Sequence, residues 1–402
     1  VSGSDAQTIT GCRIVTGGTG TIPAGTVTVK NGKIVAVQDW LADISATTLD
    51  ATGLTLLPGF LDVHIHGGGG RDTMEATPEA LQAICRTHAQ NGTTGLLLTT
   101  ITQSREAIGA ALHQARQAIE AGSAFCPEGA QILGVHLEGP YIHPERPGAQ
   151  PRQFVRDYCA DEFAEWLAIA GNTLRLITLA PERPGGHDLI RACLEAGIVV
   201  SQGHTDATAT ETVQAIQAGV RQATHLFNAM PPLHHRKPGP IPIFLTDNRV
   251  RVEIIADGHH VAPEAIRLAL QAKGADGILL ITDAMAGAGA NEGVYDLGGN
   301  TVTVANGKAL LPDGTLAGSV LTMIQAVRNM QGWFNLDWDT LARLSSGNAA
   351  EQFGWKHKGK IAPGYDADFV LVDDALHLHK TIIGGQIVSH ARPTFPPKPL
   401  SA

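Results

Sequence analysis

The sequence has 402 residues, 43% of them hydrophobic and 17% charged, with mean hydropathy near zero. That length exceeds a single small core and fits one large barrel or two to three domains. A net charge of −9 and a pI of about 6.0 exclude a general attraction to nucleic acid or anionic membrane, so an anionic substrate must be met by a local basic cluster.

The opening VSGSDAQTIT has no initiator Met and no charged-then-apolar leader pattern, as expected of a processed chain. GTVTVKNGKIVAVQ alternates apolar and polar residues on both sides of Asn31-Gly32, which predicts a β-hairpin. From Phe60 onward the pattern changes. Eight apolar, strand-like runs follow: FLDVHIH, TTGLLLTTI, QILGVHLEG, LRLITLAPE, GIVVSQGHT, RQATHLFNA, VRVEIIADG and GILLITDAM. Helical patterns separate most of them, among them TPEALQAICRTHAQN, SREAIGAALHQARQAIEAG, HDLIRACLEAG, ATETVQAIQAG and PEAIRLALQAKG. Thr77 and Ser104 are candidate N-caps, and Asn91-Gly92, Gly122, Gly197, Gly219 and Gly274 are candidate helix stops.

Eight such units predict a (β/α)8 TIM-like barrel. No GxGxxG loop follows the first run, which disfavours an open, doubly wound nucleotide-binding sheet. Two stretches break the rhythm. Met230 to Asn248 is a Pro-rich loop, and Asn291 to Leu316 reads as an inserted β excursion turning at Asn306-Gly307 and Asp313-Gly314. The final GYDADFVLVDDALHLHKTIIGGQIV again gives short strands. The two β-rich ends are expected to meet as one small β-sandwich, since termini often lie close together. The expected domains are therefore residues 1–58 (sandwich, first part), 59–355 (barrel) and 356–402 (sandwich, second part). The five cysteines are scattered without a CxxC pair, which points to reduced thiols in a cytoplasmic protein. No apolar run approaches a membrane span.

Barrels carry their active sites at the C-terminal ends of the strands. In LDVHIHGGGG, His64 and His66 are two residues apart at a strand end and so face one way, before a permissive glycine loop. Taken alone, such a pair is more often structural than metal-binding. The other strand ends supply Glu138 (VHLEGPY), His204 (SQGHT), His225 (THLFNAM) and Asp283 (ITDAM). Each has a bland reading as a cap or a hydrogen-bonded core histidine. Together, four histidines and two carboxylates at one barrel mouth point to a metal centre. N/O donors without thiolate suit Zn²⁺ or Fe²⁺. Such an ion makes hydroxide available near neutral pH, and an adjacent carboxylate can accept and return a proton, which describes a hydrolase.

HIHGGGG, HLEGPY, GHT, HLFNAM, ADGHH, TDAM and LAGS, in this order, resemble the N-acetylglucosamine-6-phosphate deacetylases of the amidohydrolase superfamily, over nearly the whole chain. The resemblance implies removal of acetate from N-acetyl-D-glucosamine 6-phosphate. It implies that Glu138, His204 and His225 hold the main metal and that Asp283 is the general base and acid. It places Ala149, Asn228 and Ala229 against the sugar, Arg236 and His260 on the phosphate, and Leu316, Ala317 and Gly318 over the substrate. It also implies a homodimer, with the phosphate end of the site near the second copy. The cluster His234-His235-Arg236-Lys237 then becomes a local basic patch suited to phosphate, where the default is a solvated loop. Some relatives lack the strand-1 histidines and use one metal. Here both are present, so a second ion is expected, with Glu138 bridging the pair. Gln150 stands where some relatives have a histidine that polarises the acetyl carbonyl, and either its amide or the second ion would take that duty.

Three rivals remain. A dihydroorotase-like cyclic amidase would carry a lysine at the end of the fourth run, and LRLITLAPERPGG has none. A deacetylase for N-acetylgalactosamine 6-phosphate differs by the orientation of one hydroxyl and is the alternative substrate reading. A non-catalytic scaffold on the same fold would be expected to have lost ligands, and none is missing.

Overall fold

The computed structural model describes residues 6–18, 20–43 and 47–388, so the outer ends of both terminal segments lie outside the described residues. Each of the eight apolar runs forms a strand: Phe60–Ile65, Thr93–Thr100, Gln131–Glu138, Leu174–Leu179, Val199–Gln202, Gln222–Ala223, Arg251–Ile255 and Ile278–Ile281, here barrel strands 1 to 8. They pair in parallel in chain order. The ring closes where Ile65 bridges Ala284, the Asp283 amide donates to the His64 carbonyl at 2.9 Å, and the His66 amide donates to the Ala284 carbonyl at 2.8 Å. Strands 1, 2 and 8 are buried along their whole length, as expected where a sheet is covered on both faces.

The helices begin where the caps place them. Thr77 accepts from the Ala80 amide ahead of Pro78–Ala89, and Ser104 accepts from the Ala107 amide ahead of Arg105–Ala121. Two further helices have no such start signal in the sequence. Ala160–Ala170 follows Cys159, and Met323–Phe334 follows Thr322, and neither preceding residue makes a side-chain cap. Their apolar faces decide them instead: Phe163, Trp166, Ile324 and Val327 are buried in the main core. The Pro-rich stretch holds one short helix, Ile241–Thr246.

The chain ends meet in a separate sheet. It contains Gln7–Val15, Thr21–Lys30, Lys33–Gln38, Thr48–Asp50 and Thr55–Pro58 from the start, and Phe369–Val372, Leu378–Ile383 and Gln386–Ile387 from the end. Thr55–Pro58 joins the halves, parallel to Gln7–Val15 on one side and antiparallel to Phe369–Val372 on the other. The hairpin at Asn31-Gly32 forms with both residues at positive φ (53° and 73°), the geometry that this dipeptide favours. Ile14, Val27, Ile34, Leu56, Phe369 and Leu371 form this sheet's own core, distinct from that of the barrel. The excursion at 291–316 is a three-stranded antiparallel sheet, Gly293–Leu297, Asn300–Ala305 and Lys308–Leu310, with a third small core around Tyr295, Val302 and Ala309.

Lys358 fastens the terminal sheet to the barrel. Its ammonium donates to Asp368 at 2.6 Å and to Gln131, at the start of barrel strand 3, at 2.7 Å, and it pairs with Asp366 at 3.0 Å. Burial alone would lower the lysine pKa, but Asp368 and Asp366 outweigh it and raise it. The contribution of the lysine is therefore complete at neutral pH and is lost only as pH rises through the elevated folded value. Lys358→Ala leaves the buried Asp368 without its cation, while Asp366 keeps Lys33 at 2.5 Å, and is expected to cost about 3 kcal/mol. Thermal or denaturant unfolding at pH 7 checks this, and an unchanged midpoint would remove the lysine from that role.

Candidate active site

Every predicted ligand lies at the same end of the barrel. His64 is in barrel strand 1 and His66 follows it, Glu138 ends strand 3, and His204, His225 and Asp283 each stand two residues beyond strands 5, 6 and 8. His204, His225 and Asp283 have positive φ (47°, 29° and 51°), a region that costs a side-chain-bearing residue about 1–3 kcal/mol. Such turns bend the chain inward just past the strand, so that side chains from five strands reach one point.

The six side chains form two buried groups: His64, His66 and Asp283, and Glu138, His204 and His225. Glu138 lies between them. Its Oε1 is 3.2 Å from both His204 Nε2 and His225 Nε2 and 3.4 Å from His64 Nε2, while its Oε2 is 3.1 Å from His66 Nε2. Asp283 Oδ1 is 3.5 Å from His64 Nε2 and 3.3 Å from His66 Nε2.

The arrangement fits metal ions better than hydrogen bonds alone. His204 Nε2 and His225 Nε2 are only 3.0 Å apart. His204 Nδ1 faces the Arg146 carbonyl at 2.9 Å, which puts the proton on Nδ1 and leaves the Nε2 lone pair pointing at its neighbours. His64 Nε2 is buried and has no hydrogen-bond partner. A cation between these atoms satisfies all of them.

Protonation follows the same logic. Burial pushes the His64 and His66 pKa values down, but Glu138 and Asp283 raise His64 well above its usual range and raise His66 to about 9. Burial would raise Glu138 and Asp283, but the facing histidines hold Glu138 well below, and Asp283 below, the ordinary carboxylate range. The carboxylates thus draw positive charge to this point, which a bound metal would supply in place of imidazolium protons.

His66, Glu138, His204, His225 and Asp283 form one wall of a cavity of about 250 Å³, just below the usual small-molecule range, and His64 does not line it. Of the predicted substrate-contacting residues, Ala149, Gln150, Asn228, Ala229, His260, Leu316 and Gly318 line it. Ala317 is fully buried in the core of the inserted sheet. Arg236 is exposed on its loop beside His235 and does not line the cavity. The inserted sheet supplies Leu297 to the lining and holds the Ala149 carbonyl through Asn300 Nδ2 at 3.0 Å. Gln150 is already engaged: its Nε2 donates to Glu138 Oε2 at 2.6 Å and its Oε1 accepts from the Thr102 amide at 2.7 Å. His260 is fixed by Asp257, with Nδ1 to Oδ2 at 2.7 Å.

Three buried groups behind the ligands escaped the sequence reading. Asp62 joins strands 1 and 8 by accepting from Thr282 Oγ1 at 2.6 Å, and burial raises its pKa to about 7. Glu253, on strand 7, accepts from His64 Nδ1 at 3.0 Å. His136, two residues before Glu138, meets Thr178 Oγ1 at 2.8 Å and packs edge-on against His64 with ring centroids 4.6 Å apart. The available signal was an ionisable residue in the middle of an apolar strand run, as in VRVEIIADG.

Comparison with known proteins agrees with this geometry. The model of the amidohydrolase family matches residues 55–388. The N-acetylglucosamine-6-phosphate deacetylase of Lysinibacillus sphaericus is 42% identical over 363 residues, covering 90% of this chain and 92% of that protein. The same enzyme from Bacillus subtilis (strain 168) is 42% identical over 375 residues, covering 91% and 93%. Among solved structures, an aspartate-to-alanine variant of the Mycobacterium smegmatis deacetylase, in complex with N-acetyl-D-glucosamine 6-phosphate, superimposes with a TM-score of 0.89 at 34% identity, covering 96% of this chain and 100% of that one. The chain belongs to the amidohydrolase family and, within it, to the N-acetylglucosamine-6-phosphate deacetylases.

Proposed function

We propose that this chain hydrolyses the acetamide of N-acetyl-D-glucosamine 6-phosphate, giving D-glucosamine 6-phosphate and acetate. The observation that carries the reading is the convergence of six buried N/O donors in two adjoining groups, five of them lining one cavity. Glu138, His204 and His225, and a second group of His64, His66 and Asp283, would hold Zn²⁺ or Fe²⁺, which would supply Lewis acidity and acidify water toward a pKa of ~7.

The chain's own residues do the rest. Asp283 faces the cavity beside His66, with Oδ1 3.3 Å from Nε2, and its carboxylate can take the proton of the attacking water. It then returns that proton to the amide nitrogen as the C–N bond breaks, and the amine leaves neutral. Gln150, held between Glu138 and Thr102, keeps the Glu138 carboxylate in place rather than standing free to polarise the acetyl carbonyl. Ala149, Asn228 and Ala229 bind the sugar and His260 receives the phosphate, while Leu316 and Gly318 cover the ring. Arg236, on an exposed loop with Leu233, takes the outer side of the phosphate. The same exposed loop is the surface we assign to a homodimer contact. A cytoplasmic location fits five free cysteines, and no helix among the described residues is long and apolar enough to cross a membrane.

Asp283→Asn is expected to reduce acetate release by at least ~10²-fold while metal stays on Glu138, His204 and His225. Turnover near wild type would take Asp283 out of the proton-transfer role. Arg236→Ala should raise KM for the phosphorylated sugar far more than for N-acetylglucosamine itself, and equal changes would mean that Arg236 does not read the phosphate. His64→Asn should lower the metal content by one equivalent in a folded protein, as read by elemental analysis. Parallel assays with N-acetylgalactosamine 6-phosphate decide the epimer preference.

A further inference from the structure

The pair of histidines on strand 1 raises a question of its own: what aims them? A metal-binding imidazole must present one nitrogen as a lone pair, so the other must carry a proton and have somewhere to give it. For His64 the acceptor is Glu253. The His64 Nδ1 to Glu253 Oε2 distance is 3.0 Å, and both side chains are fully buried. A carboxylate only accepts, so Nδ1 carries a proton, and Nε2 is the atom turned toward Glu138 and Asp283 and left to bind an ion.

Glu253 is itself fixed from two further directions. The His225 backbone amide donates to the same Oε2 at 3.0 Å, and Gln222 Nε2 donates to Oε1 at 2.5 Å. One carboxylate oxygen thus touches a ring of the first ligand group and the backbone of a ligand in the second. No lysine or arginine pairs with Glu253 among the described residues. A buried carboxylate without a cation is costly, and a metal on the far side of the His64 ring relieves that cost.

We propose that Glu253 is the positioning residue of the strand-1 metal site: it fixes the tautomer and orientation of His64 and so decides whether the chain holds two metals or one. This assignment rests on the two-metal reading above, and the two fail separately. Elemental analysis of the wild-type holoprotein tests the reading, with two equivalents expected. A single equivalent would overturn both it and the assignment.

Given two equivalents, holoprotein of wild type and Glu253→Gln is dialysed against a graded series of chelator concentrations. The glutamine keeps volume and an acceptor oxygen but removes the charge. The variant should release one metal at about 10–100-fold lower chelator strength and retain the other like wild type. Release of both metals in step with wild type from a folded variant would overturn the proposal. A purely structural role would lower the melting temperature without separating the two metals. Should Glu253→Gln not fold, ¹⁵N-histidine NMR of the wild-type holoprotein decides the matter. A proton on His64 Nδ1 with a metal-shifted Nε2 supports the assignment, and a proton on Nε2 defeats it.

Discussion

The site depends on the seam between the first and last barrel strands. Here the ring is closed by one bridge, Ile65 with Ala284, and three flanking amide–carbonyl bonds, from His66, Gly67 and Asp283, rather than by a long ladder. Asp62 reinforces it from inside through Thr282. His64 and His66 come from one side of the seam and Asp283 from the other. Opening it by an ångström would separate Asp283 from His64 and His66. Closure of the fold and assembly of the chemistry are therefore the same event. The buried polar contacts at the seam carry a cost that an apolar seam would avoid.

Much of this was legible in the sequence because it is local. A strand of a covered parallel sheet must be apolar along its length, so eight apolar runs separated by capped helical patterns identify the barrel. The ligands were legible because barrel topology brings all strand ends to one face, so that HIH, HLEG, GHT, HLFN and TDAM become neighbours without knowledge of any contact. The helix Ala160–Ala170 was not legible, since it lacks a side-chain cap and is settled by where Phe163 and Trp166 pack. Nor was Glu253. Its partner His64 lies 189 residues away in sequence, and no local pattern reports such a contact. Gln150 shows a subtler limit. The sequence left polarisation of the acetyl carbonyl to its amide or to a second ion, and no pattern announced that this amide lies 2.6 Å from Glu138 Oε2.

The electrostatics of the mouth are unusual for a protein interior. Glu138, Asp283, Glu253, Asp62 and Asp72 are all buried there or close behind, around four histidines. Ion pairs elsewhere in the chain, such as Arg156 with Glu162 or Lys358 with Asp368, match each buried carboxylate to a cationic side chain. At the mouth that match is missing. Part of the balance comes from the carboxylates themselves, since burial raises Asp62 and Asp72 to about 7, and the rest from protons on the imidazoles or from metal, of which only metal leaves those imidazoles as the neutral donors that the proposed chemistry uses.

The inserted sheet at 291–316 has a consequence of a different kind. Its core, around Tyr295, Val302 and Ala309, also takes in Ile101, Met285 and Ala286 from the barrel loops and is distinct from the barrel interior. It contributes Leu297 to the cavity and grips Ala149 through Asn300. The entrance is therefore shaped in part by residues outside the barrel strands, so a substitution at Leu297 or Asn300 can reshape the rim without altering the strand ends that carry the histidines.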